Sequence, residues 1–203
     1  MKFYLSSYKL GDKADQLKEM IGNRRIALIP NAIDFLDAEK INYAHHLPLL
    51  ESADIDAEVL DLKDYFGKEK ELSEKLKFYG GVMVSGGNAY VLREAMHLSG
   101  FENILSTLPD DFVYSAWSAG ICVLAPRLEG LHHVDDPTKN PYNTEVIMTG
   151  LGVLDYLILP HYKSDHPESV AIDKDVEYCK EHNIKYKTLS DGEVIILEQS
   201  FKQ

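Results

Sequence analysis

Residues 112–124 run Phe112-Val113-Tyr114-Ser115-Ala116-Trp117-Ser118-Ala119-Gly120-Ile121-Cys122-Val123-Leu124. The pattern predicts a short buried strand, a sharp turn at Ser118 and the start of a helix, with small neighbours that let strand and helix approach. Such a turn holds a serine hydroxyl above the edge of a sheet as a nucleophile, with the N–H of Ala119 near the helix start to receive an oxyanion. The alternative is a tight connection with an incidental serine, because Ala116 replaces the first glycine of Gly-x-Ser-x-Gly.

Composition limits the class of protein and its partners. The chain has 203 residues, 45% hydrophobic and 27% charged, which suits one domain with a sizeable core over residues 1–203. The net charge is −12 at pH 7. Surfaces that bind DNA or RNA carry the opposite sign, so we expect no nucleic-acid partner. A cationic substrate is compatible with this charge, but so is an ordinary acidic cytosolic protein.

The two cysteines, Cys122 and Cys179, form no Cys-x-x-Cys pair and no disulfide framework, which predicts a reducing compartment. The N-terminal apolar run is too short for a signal peptide, and no stretch approaches the roughly 20 apolar residues that span a bilayer. We therefore expect a cytoplasmic protein without a membrane partner. Cys122 is expected to be a small core residue rather than a nucleophile. Ser115, within the strand, is expected to point into the core.

Apolar runs alternate with helical periodicities along the whole chain. This alternation predicts a single-domain α/β fold, with a mostly parallel sheet covered by helices on both faces. The predicted strands are 3–5, 25–29, 57–60, 81–85, 112–117, 157–159, 184–188 and 193–197. The predicted helices are 12–20, 38–50, 68–78, 89–97, the one after Ser118, and 168–182, with an irregular region over 130–143.

A second motif, Gly86-Gly87-Asn88, follows the strand that ends at Ser85 and precedes the helix that begins at Ala89. Paired glycines permit positive φ and let a backbone approach a ligand closely, so their N–H groups can donate to a carbonyl or an anion. A Gly-Gly turn alone is usually only a turn. At the carboxyl end of a parallel strand it lies where open α/β sheets bind ligands, and the Ser118 turn should lie on the same edge.

Three blocks occur in a recognisable order over roughly residues 80–195. They are Ser85-Gly86-Gly87-Asn88-Ala89-Tyr90-Val91-Leu92, Ala116-Trp117-Ser118-Ala119-Gly120 and Leu159-Pro160-His161-Tyr162. In this the chain resembles the aspartyl dipeptidase (peptidase E) family of serine peptidases. The resemblance implies a fold like that of class I glutamine amidotransferases, with serine in place of their cysteine. It also implies Ser118 as the nucleophile, the N–H groups of Gly87 and Ala119 as the oxyanion hole, and no cofactor.

His161 is the candidate general base. A serine hydroxyl is a weak nucleophile unless a neutral imidazole accepts its proton, and the same imidazole then protonates the leaving amine. His161 follows the apolar run 156–160, which we expect to bring its imidazole to the same sheet edge as Ser118. The family's Pro-His pair falls at this point. The alternative is an exposed, inert histidine in a loop.

A carboxylate should hold the imidazole in the correct tautomer. The resemblance implies an acidic residue before the glycine that precedes the last strand, and Asp191-Gly192 offers Asp191, with Glu193 as a rival. Asp-Gly is also a common hairpin turn. A second acidic position of the family matches Asp135, which the resemblance implies is an active-site residue of some kind. Which carboxylate orients His161 stays open.

The chain departs from the family after His161. Aspartyl dipeptidases carry an arginine after a Gly-Glu-Thr at this point, and here His166-Pro167-Glu168-Ser169-Val170 places Val170 there. Bidentate recognition of a substrate carboxylate is then lost, so aspartyl specificity is in doubt. Lys163 is the alternative cation.

A metal interpretation competes, because several good ligand types lie in the second half of the chain. They are His132, His133, Asp135, Asp136, His161 and His166. No His-Glu-x-x-His motif or comparable spacing appears, and the adjacent pair should face different ways, so we expect no catalytic metal.

The sequence therefore predicts a serine peptidase that hydrolyses short peptides through an acyl-enzyme on Ser118. The expected partner is a small peptide substrate, and a homodimer is left open. A related enzyme acting on a non-peptide amide or ester, and a non-catalytic binding protein, remain as alternatives.

Overall fold

The computed structural model describes residues 1–200, so the last three residues of the predicted domain lie outside the described part. Six strands form one sheet in the order β3-β2-β4-β5-β1-β8, in which every pair is parallel except β1 with β8. The strands of this sheet are β1 (Lys2–Ser6), β2 (Ile26–Ile29), β3 (Ala57–Val59), β4 (Gly81–Val84), β5 (Val113–Trp117) and β8 (Val194–Glu198). The fold is the mostly parallel α/β fold that the sequence predicts.

In the described part of the chain, seven α-helices connect the strands. They are α1 (Ala14–Ile21), α2 (Leu47–Ser52), α3 (Glu69–Leu76), α4 (Ala89–Leu98), α5 (Phe101–Leu105), α6 (Ala119–Cys122) and α7 (Ser169–Glu181). None of the helices within residues 1–200 has the length and the apolar composition that crossing a membrane requires.

The core lies on both faces of the sheet. Alternate residues of β1 separate into two clusters: Phe3 and Leu5 join the larger one, and Tyr4 joins the smaller one. Residues of β4 and β5 divide in the same way, and both strands are buried along their whole length. Because strand side chains alternate between faces, the two clusters correspond to the two helical layers.

The region 38–50 does not form the single helix that we predicted. It forms two short 3₁₀ turns, Ala38–Lys40 and Tyr43–His46, before α2 begins at Leu47. Pro48 explains this start, since proline lacks an N–H and fits an α-helix only in its first turn. The short helix α5 was not predicted.

The predicted strands near 157–159 and 184–188 do not join the main sheet. They are β6 (Leu157–Leu159) and β7 (Tyr186–Thr188), which pair in parallel as a separate two-stranded sheet. We expected His161 to follow a strand of the main sheet, and this expectation was wrong. His161 follows β6, and its contacts with the main sheet come from side chains and backbone groups beyond β1 and before β8.

Candidate active site

Ser118 occupies a strained turn between β5 and α6. Its backbone has φ 49° and ψ −121°, a region that residues with a Cβ rarely adopt. The surrounding glycines permit the turn: a Cβ on Gly120 would lie 2.5 Å from the Val84 carbonyl oxygen, and one on Gly86 would lie 2.9 Å from Ser118 Cβ. The Gly86–Asn88 loop is thus in direct contact with Ser118.

Two N–H groups beside Ser118 are free to donate. Among residues 1–200, the N–H of Gly87 and the N–H of Ala119 make no hydrogen bond. Gly87 has φ 142°, and a Cβ there would lie 2.4 Å from the Ala32 carbonyl oxygen, so the loop requires glycine at this position. Since α6 has only four residues, any anion would depend on these individual N–H groups rather than on a helix dipole.

Asn88 and Asp135 hold this loop from behind. The side-chain oxygen of Asn88 accepts the N–H groups of Tyr90 and Val91, and its amide donates to the Asp136 carbonyl at 2.9 Å. The Asn88 amide is therefore engaged at both ends as the N-cap of α4. Asp135 accepts the N–H of Ala89 at 2.8 Å.

The environment of Asp135 favours its neutral form. Burial raises the pKa of Asp135 to about 8, against the opposing effect of the Ala89 N–H, which lowers it. Within residues 1–200, the Asp135 carboxylate accepts the N–H of Ala89, the first residue of α4, and makes no hydrogen bond with His161. The structure therefore places Asp135 with the glycine loop and separates it from the imidazole.

His161 pairs with Asp191. The two side chains meet at 2.7 Å between Nδ1 and Oδ1, and the imidazole is 1% exposed. An Nδ1–H that donates to a carboxylate leaves Nε2 as the basic atom. Burial lowers the pKa of His161, while the hydrogen bond to Asp191 raises it. The net lowering favours the neutral imidazole that proton acceptance requires.

The Nε2 side of His161 faces other groups. Glu168 Oε2 lies 3.7 Å from Nε2, and the ring of His166 stacks on the His161 ring at 3.7 Å between centroids. The Ser118 hydroxyl forms no hydrogen bond within residues 1–200, so the contact between Ser118 and His161 is not made in this state. In free enzymes such hydrogen bonds are often long and tighten only when substrate binds.

Ser7 links these parts, and sequence reasoning missed it. Its carbonyl accepts the Ser118 N–H at 3.2 Å, and its hydroxyl accepts the His161 N–H at 2.8 Å. The same hydroxyl lies 2.9 Å from Asp191 Oδ1. The available signal was a serine directly after a parallel strand, since that edge of a sheet carries ligand sites. Glu168 and His166 were likewise not singled out as neighbours of the imidazole.

The other candidates lie apart from this arrangement. Glu193 accepts the Ser190 N–H and does not contact His161. Lys163 stands over the Tyr162 ring at 5.0 Å. Val170 is 70% exposed in the first turn of α7.

Two side chains next to the turn are buried, as expected. The Ser115 hydroxyl donates to the Val82 carbonyl at 2.5 Å, and the Cys122 thiol donates to the Ile158 carbonyl at 3.4 Å. Burial raises the pKa of Cys122, so its thiolate form is disfavoured.

Within residues 1–200, two groups of side chains carry potential metal ligands: His132, His133 and Asp175, and His161, His166 and Asp191. In the first group, Asp175 is already occupied by His133 Nδ1 and by the N–H groups of His133 and Val134. We expected the adjacent His132 and His133 to face different ways, but the centroids of their rings lie only 4.2 Å apart. In the second, the two rings stack within 8° of parallel, so their in-plane lone pairs do not converge on one ion.

Comparisons with known proteins identify the family and the fold of this chain. The model of Peptidase family S51 matches residues 5–201. A crystal structure of a candidate peptidase E protein from Listeria monocytogenes EGD-e superposes with a TM-score of 0.76 and 21% identity, covering 98% of both chains. A peptidase from an acI-B1 Actinobacterium superposes with a TM-score of 0.69 and 14% identity, over 97% of this chain and 83% of that one. The comparison with curated proteins gave no match.

Proposed function

Since the chain belongs to Peptidase family S51 and is a serine-type peptidase, we propose that it hydrolyses short peptides through an acyl-enzyme on Ser118. One observation carries the proposal. A serine in a strained turn, two free N–H groups and a buried histidine–aspartate pair converge on one edge of the sheet.

Each group has a distinct task in the proposed reaction. Ser118 Oγ attacks the carbonyl carbon of the scissile amide while His161 Nε2 takes the hydroxyl proton. The N–H groups of Gly87 and Ala119 stabilise the negative oxygen of the tetrahedral intermediate. Asp191 holds the imidazole through Nδ1 and stabilises the imidazolium.

The intermediate collapses when the carbon–nitrogen bond breaks and the leaving amine takes the proton from His161. An ester on Ser118 remains. A water molecule then attacks this ester as His161 accepts its proton. When the bond between the carbonyl carbon and Ser118 Oγ breaks, the imidazolium returns this proton to Ser118 Oγ and the acid product leaves. No metal and no cofactor enters these steps.

Substrate selection depends on the charges around the imidazole. Val170 provides no charge for an acidic side chain, and Glu168 lies beside the imidazole without a lysine or arginine partner among residues 1–200. We therefore expect Asp-X dipeptides to be poor substrates, with kcat/KM no better than for a neutral N-terminal residue.

The nucleophile is tested with a fluorophosphonate probe. We expect the folded protein to react at Ser118, and Ser118→Ala to remain unlabelled, because the probe mimics the acyl transfer step. Ser115→Ala is the matched control: it removes a buried hydroxyl three residues earlier and should label normally. An adduct mapped to another residue, or no adduct on folded protein, would refute the assignment.

The substrate class is tested with a dipeptide panel read out by amine release, before and after exhaustive chelation. Activity on dipeptides that survives chelation supports the proposal. Labelling of Ser118 without peptide hydrolysis, but with turnover of a simple ester or amide, would favour the alternative hydrolase. Loss on chelation with recovery on zinc addition would contradict the metal-free mechanism.

A further inference from the structure

Ser7 lies where the strand order brings three remote segments together. It follows β1, which lies between β5 and β8 in the sheet. In the register, Ser6 is opposite Trp117 of β5 and opposite Val194 of β8. The residue after β1 therefore lies between the turn at Ser118 and the turn at Asp191, and it is fully buried.

The Ser7 hydroxyl has one proton and two acceptors in reach. Asp191 Oδ1 lies at 2.9 Å and the Leu189 carbonyl at 3.2 Å. The carboxylate is both nearer and charged, and hydrogen bonds to charged acceptors are the stronger ones. We therefore assign the proton to the bond with Asp191, which leaves the oxygen lone pairs of Ser7 for the His161 N–H at 2.8 Å.

The contacts of Ser7 fix the backbone of His161, the carboxylate of Asp191 and the backbone of Ser118. The backbone of His161 has φ 58°, a region uncommon for non-glycine residues, and Ser7 is the acceptor of its N–H. Asp191 Oδ1 receives both the imidazole and the Ser7 hydroxyl, so two donors define the rotation of one carboxylate. The Ser7 carbonyl holds the N–H of Ser118 at the same time.

We propose that Ser7 is the positioning residue of this site, which sets the orientation of the His161–Asp191 pair relative to Ser118. The proposal rests on the proposed peptidase function and adds a residue that touches neither substrate nor the reacting atoms. Its hydroxyl acts through Asp191 and His161, whereas its carbonyl anchors the turn in any variant at this position.

The groups that surround the imidazole of His161 determine its pKa. Asp191 contacts Nδ1, Glu168 lies near Nε2, the His166 ring stacks on the imidazole, and the Tyr8 ring packs edge-on at 5.7 Å. Of these, Asp191 is the one that the Ser7 hydroxyl contacts. The hydrogen bond that His161 Nδ1 donates to Asp191 raises the pKa of His161, so a carboxylate that is held less firmly in place lowers that pKa.

The test compares Ser7→Ala, which deletes the hydroxyl, with Ser7→Cys, which keeps the shape with a slightly larger group that hydrogen-bonds weakly. We expect both to lose about 10- to 100-fold in kcat with KM unchanged, the effect of losing a hydrogen bond to a charged group. The acid limb of the pH–rate profile should move to lower pH. Ser115→Ala, an equally buried serine hydroxyl in β5, should change neither.

A second measurement does not depend on activity. The NMR titration of the His161 imidazole should show a lower midpoint in Ser7→Ala and Ser7→Cys than in the wild type and Ser115→Ala. In the background of Asp191→Asn, Ser7→Ala should lower the midpoint no further. An unmoved midpoint in folded Ser7 variants, or effects of Ser7 and Asp191 that simply add, would overturn the proposal. If peptides are not hydrolysed at all, the titration still decides the role of Ser7.

Discussion

The two halves of the site are built in different ways. One half, Ser118 with Ala119 and the Gly86–Asn88 loop, comes from two contiguous motifs at the ends of neighbouring parallel strands, β5 and β4. The other half, His161 with Asp191, comes from chain segments 30 residues apart that meet at Ser7, at the opposite end of the sequence. Local backbone geometry makes the first half, whereas strand order makes the second.

Each half has its own carboxylate. Asp191 accepts a hydrogen bond from the imidazole of His161. Asp135 accepts one from the N–H of Ala89, the first residue of α4, behind the glycine loop. The two acidic residues therefore have different partners: Asp191 contacts the imidazole, and Asp135 contacts the start of α4. A substitution of Asp191 tests how the base is oriented, and a substitution of Asp135 tests how the glycine loop is supported.

The largest effect is expected in the second half, for Asp191→Asn. The amide cannot keep the imidazole in the tautomer that leaves Nε2 basic, and such a change lowers kcat by about 10²- to 10⁴-fold. Because Asp191 raises the pKa of His161, its loss should also move the acid limb of the pH–rate profile to lower pH. Steady-state kinetics across pH measures both.

Glu193→Gln is the matched control for this change. Glu193 lies two residues beyond Asp191, and its carboxylate accepts the Ser190 N–H rather than contacting His161. A glutamine oxygen can accept the same hydrogen bond, so the variant should retain nearly full activity. The reverse outcome, a severe loss for Glu193→Gln and little for Asp191→Asn, would assign the orienting role to Glu193.

A smaller effect is expected in the first half, for Asp135→Asn. The folded pKa of Asp135, about 8, lies above its ordinary value of 3.8, so the folded state binds more protons over this interval. Asp135 therefore makes stability fall as pH rises from about 4 to about 8. Asparagine does not titrate and can still accept the Ala89 N–H, so the variant should lose less stability across this range.

Thermal unfolding of the two proteins from pH 5 to pH 8 checks this prediction. Comparison with the wild type cancels the groups that titrate in both proteins, including His161. Parallel curves would mean that Asp135 is ionised throughout, and that the N–H of Ala89 outweighs its burial.

The same contrast explains what could be predicted from the sequence. The turn at Ser118 and the Gly86–Asn88 loop could be predicted, because the small residues that they require are adjacent to them in the sequence. His161 was a candidate base through the resemblance, and its role stays a prediction. The strand that we expected to deliver it was wrong, since β6 lies outside the main sheet. Ser7 was not found because its role depends on β1 lying between β5 and β8, which no local pattern specifies.

The smallest effect concerns substrate choice, and it follows from Val170. This side chain is 70% exposed, so an arginine placed there would act through solvent and be partly screened. We expect Val170→Arg to raise kcat/KM for Asp-X dipeptides relative to neutral ones by about two- to fivefold, the range of an exposed ion pair. Val170→Gln, which adds length without charge, should leave the ratio unchanged, and added salt should diminish the gain. Efficient Asp-X cleavage by the wild-type protein would contradict the expectation and would direct attention to Lys163, two residues after the candidate base.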